Sequence, residues 1–84
     1  FNKTVLTITG KNIFTLLSKY VVIDIEEALK TNHSVAQTIF IKIPILLIRN
    51  NDNGGMTSID IHINRSHAKY VYGLLIDGTK ILDI

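Results

Sequence analysis

Cysteine is absent from this 84-residue chain. Disulfides and thiolate metal sites are thereby excluded as sources of stability. Long apolar runs are absent too. The longest, from Ile43 to Ile48, falls far short of the roughly 20 residues that a membrane-spanning helix needs. Nor is charge of one sign concentrated anywhere. The nine lysines and arginines are spread along the chain and the net charge is +2, whereas a nucleic-acid binder normally gathers its cations on one face or stretch. Charged residues make up only 19% of the chain against 46% hydrophobic, which excludes an intrinsically disordered segment. Burial alone must hold the core together, near the lower size limit for unaided domains. The chain reads as one domain over residues 1–84.

No targeting segment is visible at the start. Phe1 in place of Met implies a processed product or an excised domain. Freedom from cysteine suits a cytosolic protein, and equally an exported bacterial one.

What is present is strand-forming alternation with one helix start. Residues 4–9 alternate, with Leu6 and Ile8 on one face, and predict a strand. Gly10, Lys11 and Asn12 signal a turn, and residues 13–17 can return as a second strand. The β-branched and aromatic run Tyr20, Val21, Val22, Ile23 disfavours a helix from Asn12. A better helix start is Asp24, whose carboxylate can accept from the amide of Glu27 in a capping box. Ile25, Ala28, Leu29, Asn32, Val35, Ala36 and Ile39 then follow at helical spacing. From about Thr38 the period becomes two. A strand over residues 38–48 would place Ile39, Ile41, Ile43, Ile45 and Leu47 on one face, and Phe40, Lys42, Pro44, Leu46 and Ile48 on the other. Pro44 marks that strand as an edge or a bulge.

Residues 49–55 (RNNDNGG) form a polar loop. Residues 57–64 alternate cleanly, with Ile59, Ile61 and Ile63 inward. Ala68, Val71, Leu74 and Leu75 fit a short helix. Asp77-Gly78 between apolar flanks is instead a hairpin signal, and the hairpin is preferred. The resulting fold class is α+β, a β-grasp-like mixed sheet crossed by one helix. The alternative is a ferredoxin-like βαββαβ order, which requires a helix from near Asn12 and a second over residues 66–76.

Chemistry is sparse. Asp60, His62 and His67 come nearest to a metal site, but a solvated strand face accounts for them, and no metal or other cofactor is assigned. Ser66 and His67 adjoin without any nucleophile-elbow pattern, so no catalytic residue is assigned and the chain reads as a non-enzyme. Tyr20, Tyr70 and Tyr72 beside Lys19 and Lys69 could stack on single strands, yet tyrosines in strands more often serve packing.

Four stretches resemble the repeat domains of the staphylococcal extracellular-adherence (MAP-repeat) family. They are Thr7-Ile8-Thr9; Asp24-Ile25-Glu26 with Lys30 after it; Ser58-Ile59-Asp60-Ile61; and Ala68-Lys69-Tyr70 followed by Asp77-Gly78-Thr79-Lys80 and Leu82-Asp83-Ile84. The resemblance implies a secreted β-grasp module without enzymatic activity, which adheres to host proteins or blocks serine proteases.

Binding without catalysis needs an apolar patch, an exposed edge or a mobile loop. Phe40, Leu46 and Ile48 supply the patch, and Arg49, Asn50, Asn51, Asp52 and Asn53 supply the loop. These eight residues are the candidate binding set, for a protein partner or for a second copy of the chain. The rival function is an intracellular ferredoxin-like domain that binds RNA or a small ligand. The third is an oligomerisation domain.

Overall fold

The computed structural model describes residues 2–52 and 54–82. Its elements are β1 (Lys3–Gly10), α1 (Ile13–Ser18), α2 (Ile25–Ala28), β2 (Val35–Phe40), β3 (Ile43–Arg49), β4 (Thr57–Asn64) and α3 (Arg65–Leu82). The four strands form one sheet in the order β1-β4-β3-β2. The class is the expected α+β, with helix packed across a sheet. The sheet is antiparallel at every pairing rather than mixed. The order also differs from βαββαβ, because all four strands precede α3.

The alternation expected over residues 57–64 becomes β4, and it organises the sheet. Ile59, Ile61 and Ile63 are fully buried. Leu6 of β1 lies opposite Ile61, and Leu47 of β3 lies on its other side. This inner face receives the helices through Ile13, Leu16, Leu17, Ile25, Leu29, Val71 and Leu75, all buried. Burial at roughly 25 cal/mol per Å² of apolar surface is the main force holding the layers together.

Four local expectations are corrected. Residues 13–17 are not a strand but α1. Ile13, Leu16 and Leu17 recur at helical spacing and are all buried. The β-branched run that spoke against a helix begins after α1 has ended, and Val21 does behave as a strand residue, bridging to Phe40. The capped helix does start beyond Asp24, whose side chain accepts from the Glu27 amide at 3.4 Å. It stops at Ala28. Hydrogen bonds between Thr31 and Ser34 turn the chain, His33 takes a positive φ of 69°, and residues 35–40 enter the sheet instead of extending the helix.

The long strand expected over residues 38–48 is a hairpin of β2 and β3. Ile41 and Lys42 form its loop, with Phe40 opposite Ile43 and Ile41 at φ 60°. Two-residue hairpin loops need positive φ, which a β-branched residue adopts only under strain. Pro44 sits where β3 has outrun β4, since that ladder begins at Leu46 opposite His62. A proline there costs no hydrogen bond with β4.

The hairpin expected around Asp77-Gly78 is the interior of α3. Asn64 caps this helix, its Oδ1 accepting from the Ser66 amide at 3.0 Å and from the Ser66 hydroxyl at 2.8 Å. Val71 and Leu75 reach the core. Gly78 is buried where α3 meets α1, and a Cβ there would clash with Leu16 Cδ1 unless that side chain shifted. The glycine thus serves close helix packing and not a turn. Gly73 differs, because a Cβ built there meets nothing within 4 Å. Gly73→Ala is therefore expected to stabilise the protein by about 0.5–1 kcal/mol through helix propensity. Urea unfolding measures this, and a loss of stability would contradict the helix.

Candidate binding face of the sheet

All the helical packing lies on the inner face of the sheet, and the strand period of two decides what the other face shows. On β2, Val35, Gln37 and Ile39 point away from the helices. They stand opposite Ile48, Leu46 and Pro44 of β3. Leu46 and Ile48 in turn lie opposite His62 and Asp60 of β4, which pair with Val5 and Thr7 of β1. Val35 is 57% exposed, Val5 45% and Ile39 41%; Leu46 and Ile48 are half-buried by these neighbours. The result is an apolar strip across β2 and β3, and among the described residues no helix lies over it. An open hollow of about 660 Å³ lies along the strip, its lining including Lys3, Gln37, Ile39, Pro44, Leu46 and His62.

A polar cluster borders the strip. Thr7 Oγ1 donates to Asp60 Oδ1 at 2.7 Å, and Asn50 Nδ2 donates to the same oxygen at 2.9 Å. Asn50 Nδ2 also reaches Ser58 Oγ at 3.3 Å, and Thr9 Oγ1 donates to that oxygen at 3.1 Å. These bonds hold the Asp60 carboxyl below its ordinary value of 3.8. The Thr7 hydrogen bond is the larger cause, then that from Asn50, then the charge of His62; burial opposes them. A carboxyl depressed on folding adds stability above its unfolded pKa and loses it as pH falls through the folded value. Wild-type stability is therefore expected to decline below about pH 4. Asp60→Asn is expected to be less stable at neutral pH and to lose less on acidification. Urea midpoints between neutral pH and pH 3 check the sign.

The candidate binding residues divide by face. Leu46 and Ile48 lie on the open strip as expected. Phe40 does not: it is fully buried and stacks on Tyr20 with ring centroids 4.8 Å apart. The turn at Ile41 and Lys42 puts Phe40 on the face of Ile43, so it belongs to the core. Val35 and Ile39 take its place on the strip. The alternation of residues 35–39 carries that signal, but Val35, Ala36 and Ile39 also fit the helical spacing that follows Asp24.

The expected mobile loop is largely pinned. Asn50 is fixed to β4 as described. Arg49 points to the inner side, where Nη1 donates to the carbonyls of Leu29 at 2.7 Å and Lys30 at 3.0 Å. Its Nη2 meets both oxygens of Asp52 at 3.1–3.2 Å, and the guanidinium lies 5.3 Å from the Phe14 ring centroid. Arg49 thus caps the end of α2 and is not free for a partner. Asn51 and Asp52 are exposed. Asn53 lies outside the described residues.

Other candidates are dispersed. His67 stands on α3, away from Asp60 and His62 on the open face. Among the described residues no three His, Asp or Glu side chains are placed to share a metal ion. The Ser66 hydroxyl is engaged in capping α3. Tyr20 is half-buried and donates to the Leu74 carbonyl at 3.1 Å, while Tyr70 and Tyr72 are exposed on α3. The three tyrosines therefore form no common stacking surface. Among the described residues no helix is long and apolar enough to cross a membrane. No family model, curated protein or solved structure matches this chain.

Proposed function

We propose that the chain is a non-enzymatic protein-binding module whose recognition surface is the open face of the sheet. One observation carries this reading. Every helix lies on the inner face, and the outer face presents Val35, Ile39, Pro44, Leu46 and Ile48 as a contiguous apolar strip. Such strips on small domains mark interaction surfaces. The polar rim of Thr7, Asp60, Asn50 and Ser58 gives that strip the apolar-centre, polar-border layout of an interface. None of the aromatic side chains described on the strands or helices lies on this face, so it offers no platform for stacked bases.

The family resemblance makes host proteins and serine proteases the first partners to try, and secretion goes with it. As far as Leu82 its last piece lies in α3 rather than in a hairpin, with Asp83 and Ile84 outside the described residues, so the reading rests on the open face. Leu46→Asp is expected to weaken partner binding by about 30-fold or more, the loss of a central anchor. Tyr72→Ala on α3 is expected to leave it unchanged. Calorimetric titration of a protease and host-protein panel, with circular dichroism to confirm folding, gives the comparison. Equal affinities for wild type and Leu46→Asp would sink the proposal.

A second reading, small-ligand binding, draws on the hollow of about 660 Å³ beside Leu46, which falls within the size range of ligand sites. It is favoured if soaked fragments shift Ile39 and His62 resonances while no protein binds.

A further inference from the structure

The two edges of the sheet are protected unequally. At the β2 edge the strand has six residues, and the chain covers one end of it. The Ile41 amide donates to the Tyr20 carbonyl at 2.9 Å, and Val21 bridges Phe40. The β1 edge is longer, with eight residues. It pairs with β4 in unbroken register from Lys3 opposite Asn64 to Gly10 opposite Thr57. It therefore has no bulge. It has no proline either, and its one charge is Lys3 at the start.

In an antiparallel ladder, alternate residues direct both backbone groups to the partner and the others direct them away. About half of the β1 amides and carbonyls therefore face outward. Among the described residues no backbone group pairs with β1 on that side. Soluble proteins commonly blunt such an edge with proline, a bulge, inward charge or a covering segment.

The side chains show the same incompleteness. Leu6 and Ile8 share the inner face with Ile59 and Ile61, which are 0% exposed. Yet Leu6 and Ile8 are only half-buried, and Val5 on the other face is 45% exposed. A strand laid along β1 would satisfy the backbone and cover these three residues together.

We propose that the strand laid there is β1 of a second copy, joined antiparallel about a two-fold axis to make a continuous eight-stranded sheet. A two-fold contact presents the same patch on both subunits, and β1 is compatible with itself. With the axis at Leu6, that residue faces its own copy, Val5 faces Thr7, Thr4 faces Ile8 and Lys3 faces Thr9. Inner-face residues meet inner-face residues throughout, as the period of two requires. The two lysines lie at opposite ends, about 20 Å apart at the usual rise per residue. A parallel pairing would set Lys3 beside Lys3. Cross-strand threonine and β-branched pairs add stability. The dimer would also join the two open faces into one surface.

Sedimentation equilibrium of the whole chain across a roughly hundredfold concentration range tests this, because association follows mass action. A monomer–dimer equilibrium is expected. Val5→Lys, at an exposed position that leaves the fold intact, is expected to raise the dimer Kd at least about tenfold. Leu46→Lys on the open face is expected to leave it unchanged. Amide hydrogen exchange of the wild type gives an independent readout. Continuous protection from Thr4 to Thr9 is expected in the dimer, and protection of alternate amides only in the dilute monomer. A chain that stays monomeric overturns the proposal and leaves an extended peptide of another protein as the occupant of β1. A dimer broken by Leu46→Lys but not by Val5→Lys overturns it in favour of the sheet face.

Discussion

Replacing Phe40 with alanine is expected to remove about 3–5 kcal/mol of stability, the usual cost of deleting a large buried aromatic. Phe40 has no exposed surface. Its ring stacks on Tyr20, and Tyr20 in turn is tied to the Leu74 carbonyl of α3. The residue therefore links the hairpin, the segment after α1 and the C-terminal helix. Domains of this size hold only about 4–13 kcal/mol in total, so the variant is expected to be partly unfolded at room temperature. Phe40→Leu keeps most of the apolar volume and is expected to retain the fold with a smaller loss. Urea unfolding followed by circular dichroism measures both. A Phe40→Ala protein that is as stable as wild type but fails to bind would instead put Phe40 in an interface.

Arg49→Ala is expected to cost about 2–3 kcal/mol, mostly because the half-buried carbonyl of Leu29 loses its donor and the guanidinium no longer packs over Phe14. One side chain joins the end of β3, the end of α2 and the loop at Asp52. Arg49→Lys is expected to recover less than half of the loss. A single ammonium cannot bridge two carbonyls and a carboxylate as the planar guanidinium does. Asp52→Ala is expected to cost less than about 1 kcal/mol, since the pair is partly exposed. Denaturation midpoints of the three variants check the ranking. Equal losses in Arg49→Ala and Asp52→Ala would show that the ion pair, and not the cap on α2, carries the energy.

Legibility in the sequence follows the range of the interaction. The clean alternation of residues 57–64 gives β4 and its inward isoleucines. Asp24 gives the start of α2 through a bond made within three residues. Leu46 and Ile48 are placed on the correct face by their own strand period. Phe40 is misplaced because the turn at Ile41 and Lys42 contains none of the Gly, Asn or Asp residues that announce such turns. Ile41 adopts its positive φ because the pairing of β2 with β3 over-determines it. An unbroken alternation through the turn then reads as one strand.

A different conflict hides α3. Asp77-Gly78 is a strong local hairpin signal, but Gly78 lies where α3 meets α1, and a side chain there would have to displace Leu16. A contact between residues 62 positions apart cannot be read from the residues next to it. The Arg49 cap on α2 is equally non-local, so its arginine read as part of a free loop. The bare face of the sheet emerges only once all three helices are placed on the other side.

Photo-crosslinking from single positions tests most directly whether that face is the recognition surface. A benzophenone side chain would replace Ile39, Leu46 or, on α3, Tyr72, in the cells that make the protein. Adducts of one discrete mass, distinct from a self-dimer, are expected from positions 39 and 46 and lost on adding Ile48→Asp. Adducts from position 72 alone, or none above background at 39 and 46, would contradict a binding role for the open face.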